Sequence, residues 1–150
     1  MNTKKWLVVC ALVLMGGLFS MSRALCESDV GEIKALKVYP IGKVVKKDGR
    51  NLIVTDKKFD AGLLGIDKLS SIMVLYWFDR NDTPEKRSIL QVHPRGNLNN
   101  PLTGVFATHS PVRPNLIGVS RCKIISVKGN IIEIDGIDAF DGSPVIDLKS

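Results

Sequence analysis

From Ile33 onward the apolar residues fall into short, β-branched runs, each cut off by glycine, proline or asparagine. Segments this brief suit strands joined by tight turns, so the pattern predicts a mostly β domain built from hairpins. At 150 residues there is room for one domain, and 45% apolar against 24% charged residues is the balance of a folded globular chain.

The turn residues place the elements. Residues 35–45 and 51–55 flank Lys47-Asp48-Gly49-Arg50, whose Asp-Gly pair tolerates the positive φ of a hairpin turn. Residues 117–127 and 131–134 pair in the same way across Lys128-Gly129-Asn130. Residues 63–69 are too interrupted for a long helix and predict one or two helical turns. They lead into residues 71–79 (SIMVLYWFD), the most hydrophobic strand, whose nearly continuous apolar character predicts cover on both faces, at a sheet centre or in a barrel wall. Residues 80–86, which hold Pro84, read as a loop, residues 88–93 as a strand stopped by Pro94, and residues 97–103 as a second loop. The tail, 135–148, sets Asp135, Asp138, Asp141 and Asp147 among apolar residues. The expected architecture is a single small β-barrel, hairpin-rich, with short helical turns.

The first 26 residues read differently. Lys4 and Lys5 precede an apolar run from Trp6 to Phe19, and Ser22 and Ala24 offer a small-residue cleavage site, the three-part pattern of a secretory signal peptide. The run is shorter than the ~20 residues that span a bilayer, so an uncleaved short anchor is the weaker alternative. The leader is thus expected over residues 1–26, the domain over residues 33–150, and membrane contact only through the leader. Without the leader, 18 basic residues face 15 acidic ones, a net charge of +3 that does not by itself argue for nucleic acid. Cys122 alternates with apolar neighbours as a small core residue does. With two histidines, His93 and His109, and no pair of nearby cysteines, the chain shows no metal-ligand spacing.

One loop is chemically loaded. Within residues 104–120 (GVFATHSPVRPNLIGVS), Pro111 and Pro114 fix φ, Gly104 and Gly118 admit close backbone approach, and Thr108, His109, Ser110, Arg113 and Asn115 supply polar groups. Together with residues 74–80 (VLYWFDR), 92–96 (VHPRG) and 136–149 (GIDAFDGSPVIDLK), this loop resembles the TsaA-like domain of TrmO-type methyltransferases. These use S-adenosylmethionine to methylate N6 of threonylcarbamoyladenosine beside a tRNA anticodon. The resemblance implies a small barrel that dimerises, S-adenosylmethionine as cofactor and, in the cytoplasm, tRNA as partner. It assigns the cofactor site to Phe78, Asp79, His109, Arg113, Val119 and the stretch from Asp135 through Gly136 and Ile137 to Asp138.

Methyl transfer is an in-line displacement that gains most from orientation, but an amide-like nitrogen benefits from a general base. Asp138 and Asp141 are the carboxylates located to serve. Plain structural roles compete: Phe78 as core, Asp79 as a strand-end turn residue, Asp141 before Gly142 as a turn cap, and Arg113 as an ion pair that stiffens its loop.

The chain departs from the family at several positions. His109 stands where arginine is usual, and cannot make a two-pronged grip on a carboxylate. Leu116 replaces a proline, Ser143 a threonine, and an early Pro-Arg-Gln segment has no counterpart between Val45 and Leu63. The leader adds a conflict, because cofactor and tRNA are cytoplasmic. Two readings follow: a cytoplasmic methyltransferase whose translation starts at Met21, or an exported, non-catalytic ligand- or partner-binding module on the same barrel.

Overall fold

The computed structural model describes residues 35–150; the leader expected over residues 1–26 lies outside the described residues. Strands β1 (Gly42–Lys47) and β2 (Arg50–Thr55) form the first hairpin. Its turn holds Asp48 at φ 50° and Gly49 at φ 73°, the left-handed pair that an Asp-Gly turn supplies. The strand starts at Gly42 rather than at residue 35: Pro40 has no N–H to give a ladder, and just before the strand the Ile41 amide donates to the Val145 carbonyl at 2.8 Å.

The expected helical turns begin earlier than residue 63, as two 3₁₀ segments at Lys57–Leu63 and Ile66–Lys68 separated by Gly65 at φ 84°. They deliver the chain to β3 (Ser71–Trp77), which alternates strictly. Ile72, Val74 and Tyr76 are buried, while Met73, Leu75 and Trp77 on the outer face are only half-buried. The run of apolar residues therefore covers one face fully and the other in part, so the expectation of two covered faces does not hold.

After β3 a 3₁₀ turn (Asp79–Asn81) leads to a single helical turn, α1 (Pro84–Arg87), where the sequence reading has a loop. Its signals are local: Thr83 accepts from the Lys86 amide, and Pro84 sits at the first helical position. The strand expected over residues 88–93 shrinks to β4 (Gln91–Val92), which pairs with β5 (Thr103–Gly104) in a separate two-stranded sheet. The second predicted hairpin forms as β6 (Ile117–Lys128) and β7 (Ile131–Ile134). Finally β8 (Pro144–Lys149), a strand the sequence reading leaves unassigned, pairs with both β3 and β1.

The result is a closed barrel in the order β1-β2-β7-β6-β3-β8, every pair antiparallel. Closure leaves no free edge in the barrel, and the inward residues fill it: Val44, Ile53, Val74, Cys122, Ile132 and Val145 are fully buried.

Candidate functional site

The site grows out of the end of β3. Beyond Trp77 the backbone leaves strand geometry at Phe78 (φ −80°, ψ 63°), whose amide donates to the Leu116 carbonyl at 2.8 Å. This sets the Phe78 ring edge-on to Tyr76, centroids 5.4 Å apart, and the hydroxyls of Tyr76 and Ser120 lie 3.3 Å apart. Burial raises the Tyr76 phenol above its ordinary value; the Ser120 hydroxyl works against this, and the nearby Asp138 charge adds to it.

The loop between β5 and β6 is braced throughout. Thr108 Oγ1 donates to the Val105 carbonyl at 3.1 Å and accepts from the Ser110 amide, while Ser110 Oγ accepts from the Val112 amide. Arg113 Nη2 reaches the Val105 carbonyl at 3.4 Å, and Arg87 donates to the Pro114 carbonyl at 2.9 Å. Arg87 is itself held by Asp82 at 2.8 Å and lies 5.3 Å over the Trp77 ring. Leu116, fully buried, anchors the far end of the loop. The expected stiffness thus has a source: two prolines, three side-chain turns and a guanidinium tie to α1.

Three adjoining hollows open between this loop and the end of β7. The smallest, about 90 Å³, lies over Tyr76, Phe78, Arg113, Gly118 and Val119. A second, about 390 Å³, runs along Phe78, Arg80, Lys86 and Phe140. A third, about 1020 Å³, spreads toward His93, Arg95 and β4. His109 and Asp138 border all three. Asp138 makes no hydrogen bond or ion pair among the described residues, so its carboxylate is free to meet a ligand.

Of the residues singled out from sequence, Phe78, His109, Arg113, Val119 and Asp138 come together around the smallest hollow. The rest take other places. Asp79 Oδ1 accepts from Ser143 Oγ at 3.1 Å, and Ser143 is buried. Asp135 Oδ1 accepts from the Lys123 and Gly136 amides at 2.8 and 2.9 Å, tying the end of β7 to β6. Asp141 Oδ1 accepts from the Lys46 amide at 2.8 Å, and Ile137 packs on the core while its carbonyl takes the Lys46 ammonium. Gly136 faces open space. Arg80, Lys86 and Phe140 join the site without having been picked out; the first two lie in a segment that reads simply as a polar loop.

A separate hollow of about 610 Å³ lies at the opposite end of the barrel, under the 3₁₀ turns, away from these residues. Among the described residues no group of three His, Cys, Asp or Glu is placed to hold a metal, and no helix is long and apolar enough to cross a membrane.

Comparison with known proteins converges on one family. The family model of the tRNA-methyltransferase O N-terminal domain matches residues 32–150. A protein of Methanocaldococcus jannaschii, described as a probable S-adenosyl-L-methionine-binding protein, is 49% identical over 110 residues, 73% of this chain and 87% of that one. The mouse tRNA (adenine(37)-N6)-methyltransferase is 39% identical over 87 residues, 58% of this chain but only 20% of its own length. Among solved structures, that of TrmO from Pseudomonas aeruginosa aligns with a TM-score of 0.59 and 26% identity over 79% of this chain; the chain spans 55% of that structure. With 119 of its 150 residues under one family model, the chain belongs to the family of the tRNA-methyltransferase O N-terminal domain.

Proposed function

We propose that the chain is an S-adenosylmethionine-dependent methyltransferase acting on N6 of threonylcarbamoyladenosine in tRNA. The observation that carries this reading is the unpartnered Asp138 carboxylate at the meeting point of three hollows, beside His109 and close to Arg113 and Phe78. Family membership and the printed descriptions of the relatives support it.

The residues present fit such a cofactor. Phe78 and Val119 offer an apolar wall for adenine, and Arg113 and His109 offer donors to a carboxylate. The smallest hollow falls below the ~300 Å³ of an ordinary ligand pocket, so a bound nucleoside would extend into the adjoining hollow toward His93 and Arg95. When bound, S-adenosylmethionine supplies a methyl group on a sulfonium whose positive charge is lost on transfer. The protein's task is then to align the acceptor and to take its proton. Asp138 would take the N–H proton of the acceptor nitrogen as that nitrogen gains the methyl group.

The half-buried Leu75 and the exposed Ile117 form an apolar outer patch beside the cleft, and we place the face of a homodimer there. This activity needs the cytoplasm, so the reading carries translation from Met21. A phosphatase reporter fused after Ser28 separates that from export, staying inactive if nothing is exported. Titration of the purified protein with S-adenosylmethionine tests the main claim. Saturable binding supports it, and no binding at millimolar concentration overturns it.

A further inference from the structure

We propose that the hollow between Phe78, Arg80 and Phe140 is the subsite for an extruded nucleobase of the RNA substrate, with the Arg80–Phe140 stack as its platform. The inference rests on the methyltransferase reading above and adds to it the residues that hold the acceptor.

Phe140 follows the buried Ala139 at the turn before β8, yet the residue is 53% exposed. A cation lies over its face: the Arg80 guanidinium is 4.1 Å from the ring centroid. The pair presents a broad flat face of the kind on which unstacked bases settle, since both aromatic rings and guanidinium planes stack on base π-faces. Lys86 stands at the same hollow, its ammonium donating to Asn81 Oδ1 at 3.0 Å and to the Arg80 carbonyl at 3.1 Å. Two cations beside an aromatic wall match a base attached to a phosphate backbone, and they suit a purely apolar ligand less well.

Position completes the argument. At about 390 Å³ the hollow has the volume of an ordinary ligand pocket, and it shares Phe78, His109 and Asp138 with the smaller hollow assigned to the cofactor. A base lying on the Arg80–Phe140 face therefore turns its edge toward Asp138, where its exocyclic N–H meets the proton acceptor. The other cavity of comparable size, under the 3₁₀ turns, borders neither Asp138 nor His109.

The test uses the full chain and two probes: an RNA anticodon hairpin with threonylcarbamoyladenosine at the target position, and the same hairpin with that base removed. Fluorescence anisotropy should show the wild type preferring the base-containing hairpin by roughly tenfold, the scale of one stacked base. Phe140→Leu, which keeps the apolar bulk but loses the π-face, should abolish that preference, and Phe140→Trp should keep it. Arg80→Gln should weaken binding of the base-containing hairpin. All three variants should bind S-adenosylmethionine as the wild type does. Equal binding of the two hairpins by the wild type, or an undiminished preference in Phe140→Leu, overturns the proposal. If the wild type fails to bind S-adenosylmethionine yet keeps its preference for the base, the cofactor reading falls and the base platform stands.

Discussion

A Cβ placed on Gly118 would stand 2.5 Å from Cε2 of the Tyr76 ring and 2.8 Å from Cζ of Phe78. The two residues face each other across the β3–β6 ladder, where Tyr76 pairs with Gly118, and the missing side chain is the space into which the Tyr76–Phe78 edge-to-face pair fits. Gly118→Ala should therefore push both rings into the cleft. We expect a stability loss of about 1–3 kcal/mol, the usual cost of overpacking, together with weaker S-adenosylmethionine binding. Denaturant titration and calorimetry read the two effects; unchanged values in both would show that the rings can give way freely.

The two aspartates proposed from sequence as proton acceptors separate sharply. Asp138 is unpartnered at the cleft, whereas Asp141 holds the Lys46 amide at 2.8 Å and joins the turn before β8 to β1. Asp138→Asn should lower the rate of methyl transfer by roughly 10²-fold or more while leaving the fold intact, as loss of a general base does. Asp141→Asn should leave transfer unchanged and cost at most about 1 kcal/mol of stability, the scale of one hydrogen bond. Single-turnover assays on both variants check the split, and a rate loss in Asp141→Asn would reverse the assignment.

Which parts of this were legible follows from how local each signal is. The Asp48-Gly49 and Gly129-Asn130 turns announce both hairpins because turn chemistry is written in two adjacent residues. Strand β8 carries no local signal because its pairings, Val145 with Gly42 and Leu148 with Val74, join residues far apart in sequence. The same holds at the site. Residues 104–120 stood out by density of proline and polar groups, but the partners that take Asp79, Asp135 and Asp141 out of the cleft, Ser143, Lys123 and Lys46, are set only by barrel closure. The Arg80–Phe140 stack spans the same closure and left no trace in either segment alone.

His109, which the sequence resemblance sets against an arginine, borders every hollow of the site. An imidazole presents at most one donor in a given direction, whereas a guanidinium grips a carboxylate with two parallel N–H groups. Restoring the fork by His109→Arg should tighten S-adenosylmethionine binding by roughly tenfold, from one added charge-assisted hydrogen bond. Calorimetric titration of the two proteins measures it. Weaker binding in the variant would mean that the cleft is shaped around the smaller ring.

On the barrel wall, Arg50 holds Glu133 with two bonds, at 2.8 and 2.9 Å, and Ser126 Oγ donates to the same carboxylate at 3.0 Å. The Arg50 hydrogen bond, then that of Ser126, keep the Glu133 carboxyl below its ordinary value of 4.5. A depressed carboxylate stabilises the fold above its unfolded value, and that contribution disappears as pH falls through the lowered folded value. Wild type should thus lose stability in acid faster than Glu133→Gln, the gap between their denaturation midpoints closing below about pH 4.5. A gap that stayed constant into strong acid would show that the pair contributes nothing through its charge.

Cys122 lies in the barrel interior with no exposed surface, opposite Ile72 on the neighbouring strand. Burial, with a smaller push from the Asp135 charge, raises its thiol to about 11 from an ordinary 9.0. Only the thiolate attacks an alkylating reagent, so the native protein should leave Cys122 unmodified at neutral pH, while the unfolded chain reacts quickly. The sign for stability is opposite to that of Glu133: a raised acid favours the fold below 9.0 and ceases to do so as pH climbs through about 11. Alkylation followed by peptide mass mapping at Cys122, with and without denaturant, reads the first effect, and alkaline denaturation of Cys122→Ala against the wild type reads the second. Rapid native labelling would mean that the barrel opens at that point far more readily than its closed ladder of hydrogen bonds implies.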